Sequence, residues 1–160
     1  MSDNLHGKWA LILGASSGFG AATARQLARS GMHVIGVHLD RKAAMAGVDA
    51  LVKDLQGAGS QVLFFNVNAA DPVKRQEILD QVQPKLGGAP VAVFMHSLAF
   101  GTLKPYVAAD PKEHLTKDQM EMTLDVMANS LVYWVQDLLG REMLGKGSRV
   151  FAMTSSGGTR

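Results

Sequence analysis

The sequence predicts an α/β fold, a doubly wound parallel sheet with helices on both faces, and two observations predict it. Short apolar or β-branched runs alternate with longer segments of helical period along the whole chain, the pattern of parallel strands joined by helical crossovers. Glycines and prolines fall at the changes of period, where caps and turns are expected. Right-handed crossovers that reverse direction after the third strand then give the order 3-2-1-4-5.

The elements follow in order. Lys8 to Leu13 is the first strand, and a glycine-rich turn leads into a helix over Phe19 to Ser30 that Gly31 closes. His33 to His38 is the second strand; Ala44, Val48, Leu51 and Leu55 form one face of the next helix, which ends by Gly57 and Gly59. Gln61 to Phe65 is strand three. Asp71-Pro72 caps a helix whose buried stripe is Ile78, Val82 and Leu86, stopped by Gly87-Gly88. Val91 to Met95 is strand four, apolar throughout as a strand covered on both faces would be. The longest helix, Thr116 to Met143, opens on the capping box Thr116-x-x-Gln119 and turns Met120, Leu124, Met127, Leu131, Val135 and Leu138 inward. Arg149 to Met153 is strand five, with Phe151 and Met153 keeping the apolar character of strand four.

Composition narrows the function classes. The chain has 160 residues and no cysteine, so one domain with a sufficient core is expected, without disulfides, thiolate chemistry or cysteine-based zinc. No metal site is expected. Net charge is only +2 and the basic residues are scattered, which argues against nucleic acid as a partner. The first four residues carry no basic region followed by an apolar run, and no stretch of about 20 apolar residues occurs. A soluble, cytoplasmic protein without a membrane partner is the expectation. The nine methionines read as packing.

One segment carries chemistry on its own terms. Gly14-Ala15-Ser16-Ser17-Gly18-Phe19-Gly20 leaves a strand and enters a helix, where free backbone N–H groups and the helix dipole favour a pyrophosphate and glycines let the backbone approach it. A phosphate loop of the ATPase kind would continue with Lys and Ser or Thr; Gly20 is followed by Ala21-Ala22-Thr23. The expectation is a dinucleotide site in a single Rossmann domain over residues 1–160.

Through Gly7 to Gly20, with its Gly-x-x-x-Gly-x-Gly spacing, the sequence resembles the short-chain dehydrogenase/reductase family, and the similarity runs over the whole chain. That resemblance implies an oxidoreductase using NAD or NADP. His38 stands where the family often has a ribose-binding acid, with Asp40, Arg41 and Lys42 just after; a carboxylate suits the ribose hydroxyls of NAD, and the cations suit the extra phosphate of NADP, which is slightly favoured. Asn66-Val67 takes the place of a family Asp-Val against the adenine ring. After strand four, His96-Ser97-Leu98-Ala99-Phe100 resembles the enoyl-acyl-carrier-protein reductases of the branch with a short glycine loop, which puts Ser97 and Leu98 against the cofactor and leaves His96 as a strand-end histidine with a satisfied ring.

Met127 stands where most members place a relay asparagine, and Asn129 faces elsewhere. Ser155 matches the serine that helps hold a substrate carbonyl. The family's catalytic tyrosine and lysine have no counterpart: Tyr106 and Tyr133 lie outside the motif. The resemblance therefore implies the N-terminal part of a longer reductase, its sheet incomplete at the C-terminus and its isolated activity nil. An enoyl thioester is the first substrate expectation, a 3-oxoacyl or other carbonyl substrate the alternative, and a non-catalytic nucleotide-binding module a third reading. Apolar residues spread around the long helix, Val132, Tyr133 and Trp134 among them, also predict a homodimer or higher homo-oligomer packed through that helix, with Trp134 in or near the contact.

Overall fold

The structure, a computed structural model, describes residues 5–155. The reading of residues 1–4 as free of an apolar leader, and the part of the Met153–Arg160 segment beyond residue 155, lie outside it. The elements are β1 Trp9–Leu13, α1 Gly18–Arg29, β2 His33–His38, α2 Met45–Gly57, β3 Val62–Asn66, α3 Pro72–Val82, β4 Val93–His96, α4 Lys117–Leu124, α5 Ser130–Gly140 and β5 Arg149–Ala152. All strand pairs are parallel and the order is β3-β2-β1-β4-β5, as the alternation of periods requires.

β1 is the central strand, and all five of its residues are buried because helices cover both faces. Its alternate side chains feed two cores. Leu11 and Leu13 join Ile35, Val37 and Phe94 beneath Ile78 and Leu79 of α3 and Trp134 and Leu138 of α5. Ile12 joins Val34 and Met95 beneath Ala21, Ala24 and Ala28 of α1 and Leu51 and Leu55 of α2. The alanine face lets α1 lie close on the sheet. Each fully buried Leu or Ile is worth about 1.5–3 kcal/mol relative to exposure.

Two helix starts form as their sequences dictate. Asp71 accepts from the N–H groups of Val73 and Lys74, with Pro72 at the first helical position. Thr116 and Gln119 make both bonds of the capping box. Ala44, expected on the buried face of the second helix, instead sits exposed in a 3₁₀ turn, Lys42–Ala44, that precedes α2.

The long helix differs most from its sequence pattern. It is two α-helices joined by a π turn, Asp125–Asn129, and the turn adds a residue that rotates α4 relative to α5. The inward face is Val126, Ser130, Trp134 and Leu138, with Leu131 and Val135 half-buried beside it, and the helix ends at Gly140 rather than Met143. Met120, Leu124 and Met127, expected inward, are exposed. Trp134, expected at a contact between copies, is wholly buried, and its indole Nε1 donates to the Ala69 carbonyl at 2.8 Å. At the sheet edge, among the described residues β5 pairs only with β4, and Val150, Phe151 and Met153 are exposed. Among the described residues no helix is long and apolar enough to cross a membrane.

Trp134→Phe removes one buried donor and leaves the Ala69 carbonyl without it. Urea unfolding should show a loss of about 1–3 kcal/mol, and an unchanged midpoint would remove Trp134 from its place in the core.

Candidate functional site

The turn after β1 is built by close approach of backbones. The N–H groups of Gly14 and Ala15 both donate to the Val37 carbonyl, at 2.8 and 3.2 Å, and Ser97 N–H donates to the Leu13 carbonyl at 2.9 Å. Gly14 has φ +81°, and a Cβ there would lie 2.2 Å from the Ser97 carbonyl oxygen; a Cβ on Gly20 would lie 2.0 Å from the Gly14 carbonyl oxygen. Only bare backbone fits at these two points. Gly18, φ +53°, differs: a Cβ there would meet nothing within 4 Å, so its open side is available to a ligand. Ser17 caps α1 without a side-chain bond, leaving the first N–H groups of the helix without intrahelical or side-chain acceptors. Those groups and the helix dipole make a positive mouth fitted to a phosphate.

The mouth opens on a cleft of about 540 Å³ at the carboxyl ends of the strands, where ligands bind in open α/β sheets. Gly14, Ser16, Ser17, Gly18 and Phe19 form one wall; Asp40, Val67, Ser97 and Leu98 stand on the others. Four sequence-predicted residues are not on the walls. Gly20 is the packing contact just described, Arg41 is exposed ahead of the 3₁₀ turn, and Ser155 is exposed after β5. Asn66 acts from behind: its Oδ1 accepts from Asp40 N–H at 2.9 Å and its Nδ2 donates to the Asp40 carbonyl at 3.0 Å.

Asp40 is thus held through both its backbone groups. Its carboxylate is held as well, since His38 Nδ1 lies 2.8 Å from Asp40 Oδ2, and a carboxylate acceptor makes that ring nitrogen the donor. His38 is buried and reaches the cleft wall beside Phe64, whose ring centroid is 5.7 Å away.

His96, the last residue of β4, fixes the far side. Ser130 Oγ donates to the Val126 carbonyl at 2.8 Å, so it accepts from His96 Nε2 at 2.9 Å. Ser130 is fully buried and His96 nearly so. Burial is the largest cause holding the His96 pKa below its ordinary value, against hydrogen bonding to the Val126 backbone that raises it, so the ring is neutral near pH 7. This chain of bonds ties β4 to the π turn, whose Val126, together with Met122 of α4, lines the cleft.

Sequence reasoning missed His38, Asn68, Phe100, Met122 and Val126 on the walls. Asn68 follows directly on Asn66-Val67 and could have been found by continuing past them. Met122 and Val126 could not, because the π turn that aims them leaves no periodic signal. Met127 and Tyr106 are exposed and off the cleft; Tyr133 is half-buried and also off it, its hydroxyl donating to Asp125 Oδ1 at 2.9 Å. No group of three or more His, Asp or Glu able to hold a metal occurs among the described residues.

A glycine turn at a helix N-terminus, opening at the carboxyl ends of a 3-2-1-4-5 parallel sheet, defines a nucleotide-binding α/β domain. The chain belongs to the short-chain dehydrogenase/reductase family: the family model described as short chain dehydrogenase matches residues 8–160. Over 90 residues it is 34% identical to the 3-oxoacyl-[acyl-carrier-protein] reductase FabG of Escherichia coli, covering 56% of this chain and 34% of that protein. It is 29% identical over 161 residues to glycine betaine reductase ATRR of Emericella nidulans, covering 98% of this chain and 11% of that protein. Among solved structures, a short-chain dehydrogenase from Burkholderia cenocepacia in complex with NADP is 27% identical at TM-score 0.75, covering 99% of this chain and 59% of that one. A short-chain dehydrogenase/reductase from Serratia marcescens, at 23% identity and TM-score 0.77, shares the fold over 98% of this chain and 58% of that one. The chain therefore spans less than two thirds of the length of each of these proteins.

The neutral, buried His96 sets a pH dependence. Its folded pKa lies below that of the unfolded chain, so between the two the unfolded state binds more protons. Stability should be full above the ordinary histidine value of 6.5 and fall as pH drops through 6.5 towards the lowered folded value. Urea midpoints at pH 7.5, 6.5 and 5.5 measure this, and His96→Gln should flatten the difference. Equal slopes in parent and variant would exclude His96 as the source.

Proposed function

We propose that this chain forms the dinucleotide-binding part of a reductase that passes hydride from a reduced nicotinamide to an acyl thioester, with an enoyl thioester as the first substrate. The observation that carries the reading is the cleft itself. A bare-backbone turn and the unpaired N–H groups of α1 form its phosphate end, and Ser97 and Leu98 stand across from them. Gly14 and Gly18 admit the pyrophosphate, Val67 offers an apolar surface for the adenine, and Ser97 and Leu98 flank the nicotinamide end. Nicotinamide supplies hydride chemistry when bound; the residues of this chain bind it, orient it and exclude water. Ser155 is assigned a hydrogen bond to the substrate carbonyl oxygen, by its match to the family motif. The wording His96-Ser97-Leu98 and the absence of an asparagine at Met127 support the enoyl reading. The resemblance to FabG supports a 3-oxoacyl substrate as the second.

NADP is the favoured cofactor form. The Asp40 carboxylate is engaged by His38, whereas Arg41 and Lys42 are exposed and enter no ion pair among the described residues, which leaves two cations near the adenosine end for a 2′-phosphate. Self-association through the long helix is also proposed, now through its exposed residues Leu124, Val132 and Leu139 rather than Trp134.

Three measurements test the reading. Gly18→Leu should abolish dinucleotide binding in calorimetry, because the side chain enters the open side of the turn; parental affinity in that variant would overturn the site. NADP should bind the parent more tightly than NAD, with Arg41→Ala narrowing the gap, and equal affinities would remove the phosphate clamp. Parallel assays of the intact protein with crotonyl and acetoacetyl thioesters decide between the two substrates.

A further inference from the structure

The π turn Asp125–Asn129 calls for a cause, since such turns are rare, and this one sits where the helix meets the cleft. Two registers collide there. The α4 side is set by the loop after β4: Thr102 N–H donates to Thr123 Oγ1 at 3.3 Å, and Gly101 packs so closely that a Cβ would lie 2.8 Å from Thr123 Cγ2. The α5 side is set by the core, through Trp134 on Ala69 and Ser130 between His96 and Val126.

What holds the junction is Tyr133. Its hydroxyl donates to Asp125 Oδ1 at 2.9 Å, so one phenol on α5 ties back across the turn to its first residue. Asp125 and Tyr133 are eight residues apart, about 12 Å along a straight α-helix, and the turn shortens that span. The ring is fixed from α3. Arg75 lies with its guanidinium carbon 5.4 Å from the Tyr133 ring centroid, and its Nε donates to Asp137, which also accepts from Gln76 at 2.9 Å. Arg75 is buried and its Nη1 makes no hydrogen bond, so the ring face supplies the partner that an acceptor otherwise would.

We propose that Tyr133 is a positioning residue for the cleft: by bonding from α5 across the π turn to Asp125, with its ring held under Arg75, it holds α4 in the register that presents Met122 and Val126 to the bound dinucleotide. Tyr133 is itself off the cleft wall and acts through those two residues. The inference rests on the dinucleotide reading of the cleft.

The test uses the intact protein and titrates it with the reduced dinucleotide it binds more tightly. Tyr133→Phe keeps the ring and its stack on Arg75 and removes only the hydroxyl. It should weaken binding about 3- to 10-fold, the range one lost hydrogen bond gives. The dinucleotide KM should rise while kcat holds. Asp125→Ala should match Tyr133→Phe, the double variant should be no weaker than either single one, and Asp125→Asn, which keeps an acceptor, should restore parental affinity. Amide hydrogen exchange over residues 126–130 should quicken in Tyr133→Phe. Parental affinity in Tyr133→Phe, or losses that simply add in the double variant, would overturn the inference even if the melting temperature falls. Should Tyr133→Phe fail to fold, Asp125→Ala and Asp125→Asn carry the comparison alone. A parent that binds no dinucleotide overturns the cofactor reading itself, a result distinct from either of these.

Discussion

The close approach of Gly14 to the Ser97 carbonyl is the constraint on which the site depends. At 2.2 Å from that oxygen there is no room for a Cβ, and on its other side the same residue is pressed by Gly20. The end of β1, the start of α1 and the end of β4 are therefore locked into one junction. The bond from Ser97 N–H to the Leu13 carbonyl and the pair of bonds onto the Val37 carbonyl extend the lock to three adjacent strands. Whatever occupies the cleft meets a turn whose shape is set before binding, and such preorganisation keeps the cost of ordering out of the binding step.

The other walls are held by polar groups that do not reach the cleft themselves. Asn66 clamps the backbone of Asp40, and Ser130 relays His96 onto the π turn. In each case the residue that touches the cleft is placed by a partner standing behind it. That arrangement makes the positions of Asp40 and Val126 properties of the packed sheet and helices rather than of mobile loops.

The sheet and its order are legible in the sequence because their causes are local or topological. The run Trp9–Leu13, the glycines at 14, 18 and 20, and the Asp71-Pro72 cap each act within a few residues, and crossover handedness does the rest. The glycine loop, Asp40, Val67, Ser97 and Leu98 are legible for the same reason: they sit at strand ends, where the fold class itself locates a ligand. The strand-end position of Asn66 points it at the adenine, but whether an amide faces forward or back depends on what stands behind it. A regular 3.6-residue period carried through the long helix turns Met120, Leu124 and Met127 inward, and it fails there because the helix gains a residue. Trp134 lies four residues before Leu138 within the regular helix α5, so the inward face that runs through Leu138 already contains it; what leaves no local signal is its partner, the Ala69 carbonyl.

The gained residue has a consequence for how this fold tolerates change. Remove one residue between Asp125 and Asn129 and the helix could run as an unbroken α-helix. Ser130, Trp134 and Leu138 would stay seated and the α4 side would keep its facing, whereas straightening the turn with every residue kept would swing the α4 side by about 100° and move it by about 1.5 Å. The turn works as a vernier between the core, which sets α5, and the loop of residues 97–116, which sets α4 through Gly101 and Thr102. A change of register on the loop side can be taken up where the two halves meet, which leaves the sheet beneath the cleft as it is.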